Sequence, residues 1–302
     1  MNSSSSGPHA DLPIMQEVAR QHYPDSALYV LATPIGNVGD ISLRSLHVLA
    51  IVDAVACEDT RNTGQLLTRY GISCSLLAAH QHNEQEVAQK LIERLRAGQR
   101  IALVSDAGTP AVSDPGARIV SQVLRAGLRV IPLPGPAAVI AALSASGLGE
   151  GPFLFCGFLP AKSAQRDAVL AGLIQQTATL AFYEAPHRIV SSCAGLARHF
   201  GPEREVVLAR ELTKLYEQIH RCPLGEVEEW LLADPNRQKG EFVILLEGAP
   251  AGVSGDQLEH ERILAILLEQ CPVSQAAALA AKITGQKKNL LYQQALRMRG
   301  ED

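Results

Sequence analysis

Short apolar runs alternate with amphipathic segments along the first half of the chain. The runs of four or five residues are typical of buried strands, and the longer segments carry apolar residues at helical spacing, as at Val87, Leu91 and Leu95. Strands are predicted at 28–32, 53–57, 76–79, 101–104 and 129–133, and helices at 43–50, 63–70, 84–97, 117–126 and 136–144. Because strands and helices alternate, we expect a mostly parallel sheet that is covered on both faces.

The second half of the chain predicts a mixed α/β arrangement. Strands are expected at 153–158, 179–183, 205–209, 217–220 and 242–247, and helices at 163–174, 188–200 and 225–232. Only a short turn separates the third and fourth of these strands, which favours an antiparallel pair. After a linker at 248–255, amphipathic helices are expected at 257–269, 274–284 and 288–298, with Ser274 as an N-cap and Gly285 as a C-terminal break.

Length and composition favour two globular domains. The chain has 302 residues, of which 47% are hydrophobic and 19% are charged. We expect a mobile leader with one short helical turn at 1–26, an N-terminal α/β domain at 27–149, a C-terminal mixed α/β domain at 150–249 and a helix-turn-helix-like tail at 256–302. The net charge of −4 provides no global basic field, so an RNA partner would need local basic patches. No membrane partner is expected, because prolines interrupt the longest uncharged stretch; six scattered cysteines without a CxxC pair indicate a cytoplasmic protein.

Three loops follow predicted strands and carry residues typical of ligand sites. The longest, at 105–116, reads SDAGTPAVSDPG and exceeds the usual connection of about 2–6 residues. Its glycines permit positive φ angles, and its prolines stiffen the backbone. The other two loops are TPIGNVGD at 33–40 and PLPGPA at 132–137. Since the carboxyl ends of parallel strands meet at one edge of a sheet, the three loops predict one shared cleft. None carries a Walker lysine, which argues against a P-loop nucleoside triphosphatase.

Charged clusters lie near this predicted edge. They read EDTR at 58–61, HQHNE at 80–84, YEAPHR at 183–188 and ARELTK at 209–214. Each is consistent with chemistry or with helix capping and surface charge, and Asp59 or Thr60 is a candidate cap. His80 and His82 lack the further ligands of a familiar metal site, so we expect no metal.

These motifs together carry a resemblance. In chain order they read TPIGN, EDTR, SDAGTP-x3-DPG, PLPGP, GFLP-x-K, YE-x-PHR, ARELTK and GE-x-V. This series resembles the tetrapyrrole methylase superfamily, most closely its branch that methylates ribosomal RNA, over about Leu28 to Glu247. The resemblance implies two α/β domains with S-adenosyl-L-methionine in the cleft between them, and a homodimer. It also implies 2′-O-methylation of a cytidine in the decoding region of 16S ribosomal RNA within the small ribosomal subunit.

The resemblance further implies a set of cofactor-binding residues. They are Pro34, Ile35, Gly36, Asp106, Gly108, Thr109, Val112, Pro136, Ala137, Ala138, Tyr183, Ala209 and Gly240. Two positions depart from the tetrapyrrole-modifying enzymes. Thr109 stands where those enzymes have the aspartate of a Gly-Asp-Pro loop, and Ala137 stands where they have a serine. Both departures fit the ribosomal branch.

The implied reaction needs positioning and assistance to a weak nucleophile. Methyl transfer from a sulfonium is an in-line displacement, and a ribose hydroxyl attacks better when a base or a positive charge assists it. The candidate catalytic residues are Glu184, His187, Lys214 and Asp59, among which the sequence does not choose. The candidate RNA-binding residues are Arg61, Lys162, Arg188, Arg210, Lys287 and Lys288, because basic side chains bind phosphates.

Two other functions compete with this interpretation. One is a methyltransferase that acts on a tetrapyrrole or another small molecule, and the other is a noncatalytic nucleotide-binding RNA chaperone. The tail has alternatives as well: it either docks on RNA or packs on the dimer or the core.

Overall fold

Two five-stranded sheets organise the protein in the computed structural model, which describes residues 13–80, 83–250 and 255–299. The strands of the first sheet are β1 Ala27–Leu31, β2 Ala54–Cys57, β3 Leu76–Ala78, β4 Arg100–Val104 and β5 Arg129–Leu133. They lie in the order β3-β2-β4-β1-β5, and every neighbouring pair is parallel. This arrangement confirms the parallel sheet predicted from the alternation of strands and helices.

Helices cover both faces of the first sheet. They are α1 Pro13–Ala19, α2 Leu43–Ile51, α3 Thr60–Arg69, α4 Glu84–Arg96 and α5 Ala117–Arg125; the last helix of this half is α6 Ala138–Ser146. Tyr29 and Leu31 of β1 belong to the core cluster that includes residues of α2 and α3, whereas Leu28 belongs to the cluster that includes residues of α4 and α5. Successive strand side chains point to opposite faces, so one strand supplies both cores.

Residues 13–26 are more ordered than the single turn expected for a mobile leader. Helix α1 has seven residues, and Val18 and Tyr23 are buried. The Tyr23 hydroxyl donates to the Val18 carbonyl at 2.9 Å, and its ring lies 4.8 Å from that of His47 on α2. This part of the predicted leader therefore packs on the first domain; residues 1–12 lie outside the described residues.

The second sheet is mixed. Its strands are β6 Phe153–Phe158, β7 Thr179–Glu184, β8 Glu205–Arg210, β9 Gln218–Pro223 and β10 Phe242–Leu246, in the order β6-β7-β10-β8-β9. The β6–β7 pair is parallel, and the other pairs are antiparallel, as expected for the hairpin of β8 and β9. Its helices are α7 Ser163–Ala171, α8 Ile189–Phe200 and α9 Val227–Leu232. Helix α7 ends three residues before the predicted 174.

Helix α6 connects the two sheets. Val139 and Ala142 of α6 are buried in the same cluster as Ala181, Val207 and Val243 of the second sheet. The chain therefore places the last helix of the first half against one face of the second sheet. This packing brings the loops at the carboxyl edge of the parallel sheet next to that face.

The tail consists of α10 Gly255–Gln270, α11 Val273–Thr284 and α12 Lys288–Arg299. Its buried apolar cluster is drawn from these three helices, with Leu264, Ala277 and Leu291 among its members. Helix α11 begins one residue before Ser274, so Pro272 holds the N-cap position and the predicted serine cap is wrong. Gly285 ends this helix in the left-handed conformation, as predicted. Among the described residues, no helix is long and apolar enough to cross a membrane.

Candidate active site

A cleft of about 340 Å³ lies between the two sheets. The first half lines it with Ile35 and with residues of the loops that follow β4 and β5. The second half lines it with residues of β7, β8 and β10 and of the segments beside them. The lining residues are Ile35, Ala107, Gly108, Thr109, Val112, Ser113, Asp114, Ala137, Ala138, Phe158, Tyr183, Glu184, Ala185, Pro186, Ala209, Leu212, Glu241, Phe242 and Val243.

Hydrogen bonds join the three predicted loops at the edge of the parallel sheet. The amides of Thr33 and Gly108 each donate to the carbonyl of the other at 2.9 Å. The Thr33 hydroxyl donates to the Ser105 carbonyl at 3.0 Å, and the Thr109 hydroxyl donates to the Pro136 carbonyl at 3.0 Å. The loops after β1, β4 and β5 therefore form one structure, as expected for strands that end at the same edge.

Tyr183 connects the second sheet to helix α6. Its hydroxyl accepts the Val139 amide at 3.2 Å, one of the first amides of the helix, which have no partner within it. Its ring packs edge-on against Phe155 at 4.8 Å and Phe158 at 5.6 Å. Burial raises the pKa of Tyr183, so the phenol stays neutral at physiological pH.

Eight of the residues assigned to the cofactor line the cleft directly: Ile35, Gly108, Thr109, Val112, Ala137, Ala138, Tyr183 and Ala209. Pro34 and Asp106 line an adjacent polar pocket of about 220 Å³ instead. Pro136 contributes its carbonyl to Thr109. These eleven residues lie at one edge of the parallel sheet or on the strands that face it.

Gly36 and Gly240 serve close packing behind the cleft. A Cβ atom on Gly36 would lie 2.5 Å from Cγ of Lys214, and one on Gly240 would lie 2.4 Å from the carboxyl carbon of Glu211. Gly240 also has a positive φ of 88°. Both glycines let the ARELTK segment approach, so their contribution to the cleft is indirect.

Backbone strain is concentrated on two segments beside the cleft. Ala111 and Ser113 have φ angles of 67° and 61°, and Glu211 and Thr213 have φ angles of 51° and 66°. Non-glycine residues adopt this region at a cost, and they persist there only when surrounding contacts fix them. The loop after β4 and the segment after β8 are therefore held in defined conformations.

Glu184 is buried in structural interactions. Its carboxylate accepts the Ala185 amide at 2.9 Å, pairs with Nε of Arg188 at 3.2 Å and accepts the Ser192 hydroxyl. The side chain has no exposed surface, and Arg188 also donates to the Leu159 carbonyl. Although Glu184 borders the cleft, its oxygens are engaged, which argues against a role as a base.

The other three catalytic candidates lie away from the cleft or are engaged in hydrogen bonds. His187 lines a different pocket, with Val190 and Glu228 among its neighbours. Hydrogen bonds from the Arg61 side chain and amide lower the pKa of Asp59 to about 2, and Asp59 is the N-cap of α3.

Lys214 donates to Glu211 at 2.8 Å and to Glu241 at 2.7 Å. Partial burial favours the neutral amine, but these hydrogen bonds outweigh it and the pKa of Lys214 is raised. Lys214 therefore remains a cation close to the mouth of the cleft.

Asp114 is a cleft residue that the sequence analysis did not single out. It is half-buried, and burial together with the carboxylates of Glu58 and Asp106 raises its pKa to about 6, against the opposing effect of the Ser105 hydroxyl. The signal was present in the sequence, since Asp114 belongs to the DPG part of the longest ligand loop. Phe158, Leu212 and Glu241 also line the cleft, and all three lie within motifs already noted: GFLP-x-K, ARELTK and GE-x-V.

The six RNA-binding candidates divide into exposed and buried groups. Arg61, Lys162, Lys287 and Lys288 are exposed. Arg188 is paired with Glu184, and Arg210 is buried with its guanidinium donating to the carbonyls of Lys239 and Tyr216. These engaged guanidinium groups do not fit the predicted phosphate contacts of Arg188 and Arg210. Among the described residues, no group of three or more His, Cys, Asp or Glu side chains is arranged to hold a metal ion; His82 lies outside them.

The site and both sheets define a class of methylases. Residues 27–228 match the family model of Tetrapyrrole (Corrin/Porphyrin) Methylases, and residues 254–299 match the RsmI C-terminal HTH domain. The chain belongs to the tetrapyrrole methylase family.

Relatives within the family narrow this assignment. The chain is 51% identical over 276 residues to ribosomal RNA small subunit methyltransferase I of Pseudomonas aeruginosa, which covers 91% of this chain and 98% of that protein. Proteins of the same name from Vibrio cholerae and Escherichia coli O157:H7 are 52% and 50% identical, and the alignments cover 91% and 90% of this chain and 96% of each relative.

Solved structures share the fold at lower identity. The methyltransferase CobJ has a TM-score of 0.56 at 20% identity, covering 74% of this chain and 94% of CobJ. Uroporphyrin-III C-methyltransferase from Thermus thermophilus, complexed with S-adenyl homocysteine, has a TM-score of 0.51 at 19% identity, covering 72% of this chain and 96% of the enzyme. These likenesses confirm the predicted arrangement of two α/β domains.

Proposed function

We propose that this protein is an S-adenosyl-L-methionine-dependent methyltransferase that acts on 16S ribosomal RNA of the small ribosomal subunit. The observation that carries the proposal is identity of about half over nearly the whole length of three relatives named ribosomal RNA small subunit methyltransferase I. The finer assignment is 2′-O-methylation of a cytidine ribose in the decoding region. It is supported by the ordered motifs of the ribosomal branch.

The cleft suits a ligand with an aromatic base and a sulfonium side chain. Ile35, Val112 and Tyr183 offer apolar surface for an adenine ring, and the backbone groups of Thr109 offer hydrogen bonds. S-adenosyl-L-methionine supplies an electrophilic methyl group when it is bound there. The residues of this chain then have to orient the donor, exclude water and receive the hydroxyl proton.

Exposed basic residues favour an RNA substrate even though the net charge of the chain is −4. Arg61 lies on α3 in the first half of the chain, and Lys162 lies directly before α7 in the second half. Lys287 lies in the turn between α11 and α12 and Lys288 begins α12, next to the exposed apolar side chains of Ile283 and Leu290. An exposed basic turn in a helix-turn-helix unit is typical of nucleic-acid contact, so we assign the tail to RNA docking.

We further propose the domain limits 27–149, 150–249 and 256–302, a homodimer and a cytoplasmic location. Edge strand β6 leaves Phe153 and Leu154 partly exposed, which is consistent with a covered apolar surface in a dimer. Sedimentation at micromolar concentration should give twice the chain mass. A monomer across that range would refute the dimer without bearing on the reaction.

The function is tested by methyl transfer from tritiated S-adenosyl-L-methionine. Small ribosomal subunits, naked ribosomal RNA and a panel of porphyrinoids are compared as acceptors. We expect label in 16S RNA of small subunits, at a cytidine whose 3′ phosphodiester bond then resists alkali, because the hydrolysis requires a free 2′-hydroxyl. Transfer to a porphyrinoid alone would favour the small-molecule alternative, and RNA binding without any transfer would favour the chaperone.

RNA docking has its own test. Lys288→Ala and Arg61→Ala should each weaken binding of small subunits and lower the salt slope by roughly 0.7–0.9 per lost phosphate contact. S-adenosyl-L-methionine affinity should not change. If both variants bind subunits like the unmodified protein at every salt concentration, the assigned RNA surface is wrong.

A further inference from the structure

We propose that Asp114 is the catalytic residue that accepts the proton of the ribose 2′-hydroxyl. The inference rests on the proposed function and adds a residue for its chemical step. The carboxylate lies in the wall of the cleft between the two sheets, beside Ser113 and opposite Tyr183. It is therefore on the surface where donor and acceptor have to meet.

The other carboxylates that line the cleft, Glu184 and Glu241, are already engaged. Glu184 is paired with Arg188, and Glu241 with Lys214. Asp106 accepts the Asp59 amide at 3.2 Å and the Asn62 side-chain amide at 2.8 Å. By contrast, none of the ion pairs in the described part of the chain involves Asp114.

The polar and charged groups that face Asp114 come from three elements. Glu58 lies after β2, Ser105 and Asp106 lie after β4, and Tyr183 lies at the end of β7. Two of these are carboxylates, one is a hydroxyl and one is a neutral phenol. Such surroundings favour a proton on Asp114 more than water does, and they supply no cation that would hold the carboxylate in its charged form.

The loop that carries Asp114 is fixed on both sides. The buried carboxylate of Glu84 on α4 accepts the Gly116 amide at 2.5 Å, and the Ala111 amide donates to the Pro115 carbonyl at 3.3 Å. Ala111 and Ser113 hold positive φ angles within this short span. Backbone strain beside a cleft is consistent with a loop that holds a functional side chain in one fixed direction.

The proposed step balances in atoms and charge. A lone pair of the 2′-oxygen forms a bond to the methyl carbon, and the carbon–sulfur bond breaks with its electron pair remaining on sulfur. The hydroxyl proton passes to the Asp114 carboxylate, so the products are a methyl ether, a neutral thioether and a protonated Asp114. Release of that proton to water restores the carboxylate.

The pKa of Asp114, at about 6, suits this role. Near neutral pH the group is mostly ionised, yet it binds a proton more strongly than an ordinary aspartate. A general base works best when its pKa lies close to the working pH.

The test compares Asp114→Asn with the unmodified protein in single-turnover methyl transfer to small subunits. At saturating donor and acceptor we expect the rate to fall by about 10²–10⁴-fold, the range of general-base contributions. The affinities for S-adenosyl-L-methionine and for small subunits should each change by less than about twofold, since the amide has the shape of the acid. Glu203→Gln, an exposed acid outside the cleft, serves as the matched control and should leave every quantity unchanged.

Two readouts separate a base from a structural residue. The rate of the unmodified protein should rise with pH to a plateau with an inflection near about pH 6, and Asp114→Asn should lose that inflection. Glu58→Gln should shift the inflection to lower pH without abolishing it, because it removes one repelling carboxylate. Carboxyl resonances of ¹³C-labelled aspartate should include one that titrates near the same pH and disappears in Asp114→Asn.

The proposal is overturned if Asp114→Asn transfers methyl groups at the unmodified rate, or if its rate loss matches a loss of donor affinity. It is equally overturned if the pH inflection survives in that variant. If the unmodified protein itself methylates no small subunit, the proposed function fails instead, and the two failures are thereby distinguished.

Discussion

The two sheets contribute to the cleft in different ways. The parallel sheet contributes loops, whose backbones are joined by the Thr33–Gly108 bridge and by the Thr109–Pro136 hydrogen bond. The mixed sheet contributes side chains that stand on strands, such as Tyr183, Ala209 and Val243. Loops shape a polar, close-fitting edge, whereas strands offer a flat apolar wall. The comparison predicts that changes on the loop side act on ligand binding or on the chemical step and that changes on the strand side act on stability or on the docking of the two halves.

The largest effect on ligand binding is expected on the loop side, at Ala137. Ala137→Trp fills the cleft beside the N-terminus of α6, so S-adenosyl-L-methionine binding should weaken by more than about 100-fold, equivalent to about 2.7 kcal/mol. Calorimetry measures the affinity and thermal unfolding checks the fold. Ala171→Trp, at an exposed position on α7, is the control of equal size. Undiminished binding in a folded Ala137→Trp protein would place the ligand elsewhere.

On the strand side, Glu184→Ala should act on folding. It leaves the Arg188 guanidinium buried without its partner, which should lower the free energy of unfolding by about 3 kcal/mol. Glu205→Ala, whose pair with Arg221 is partly exposed, should cost less than about 1 kcal/mol. Urea denaturation measures both. If Glu184→Ala is as stable as the unmodified protein but catalytically dead, Glu184 belongs to the chemistry after all.

Tyr183→Phe tests the contact between the halves. Without the hydroxyl, the Val139 amide loses its acceptor, which should cost about 1 kcal/mol and weaken S-adenosyl-L-methionine binding by about fivefold. Tyr216→Phe removes a hydroxyl from an exposed ring and should change neither quantity. An unaltered affinity in Tyr183→Phe would mean that this hydrogen bond does not set the position of α6.

The smallest effect concerns Asp114 and pH. Because the folded-state pKa is raised from 3.8 to about 6, the folded protein binds the proton more tightly than the unfolded chain, and stability falls as pH rises through this interval. The side chain of Asp114→Asn cannot ionise, so the variant does not show this fall in stability. With partial solvent screening, it should be more stable by about 1 kcal/mol above pH 7 and equally stable near about pH 3.5. Equal stability of the two proteins across the range would show that Asp114 has an ordinary pKa.

The loop side of the cleft could be predicted from the sequence, and much of the strand side could not. Gly108, Thr109 and Ala137 belong to motifs whose glycines and prolines indicate ligand loops. Val243 ends the GE-x-V motif, but it lies in an apolar strand that looks the same whether it faces a helix or a ligand. Its role depends on which face of the second sheet meets the first half, and that choice is made by tertiary packing against α6.

Charged residues showed the same limit. Glu184, Arg188 and Arg210 stand in motifs that indicate chemistry, yet the fold buries them in hydrogen bonds with each other or with backbone carbonyls. The sequence shows that a charged residue is present. Whether that charge is structural or reactive depends on how close the fold brings it to a partner. Asp114 was overlooked for the converse reason, since only the fold brings it beside Glu58 and Asp106.

The bridge between Thr33 and Gly108 has a consequence for the kinetics of ligand binding. Two reciprocal hydrogen bonds at 2.9 Å hold the loops after β1 and β4 together before any ligand arrives. A ligand that enters the cleft therefore has little backbone to order, and its arrival should follow a single bimolecular phase without a slower rearrangement. The same two amides should exchange with deuterium as slowly as those inside β1 and β4, because their release requires the neighbouring strands to separate.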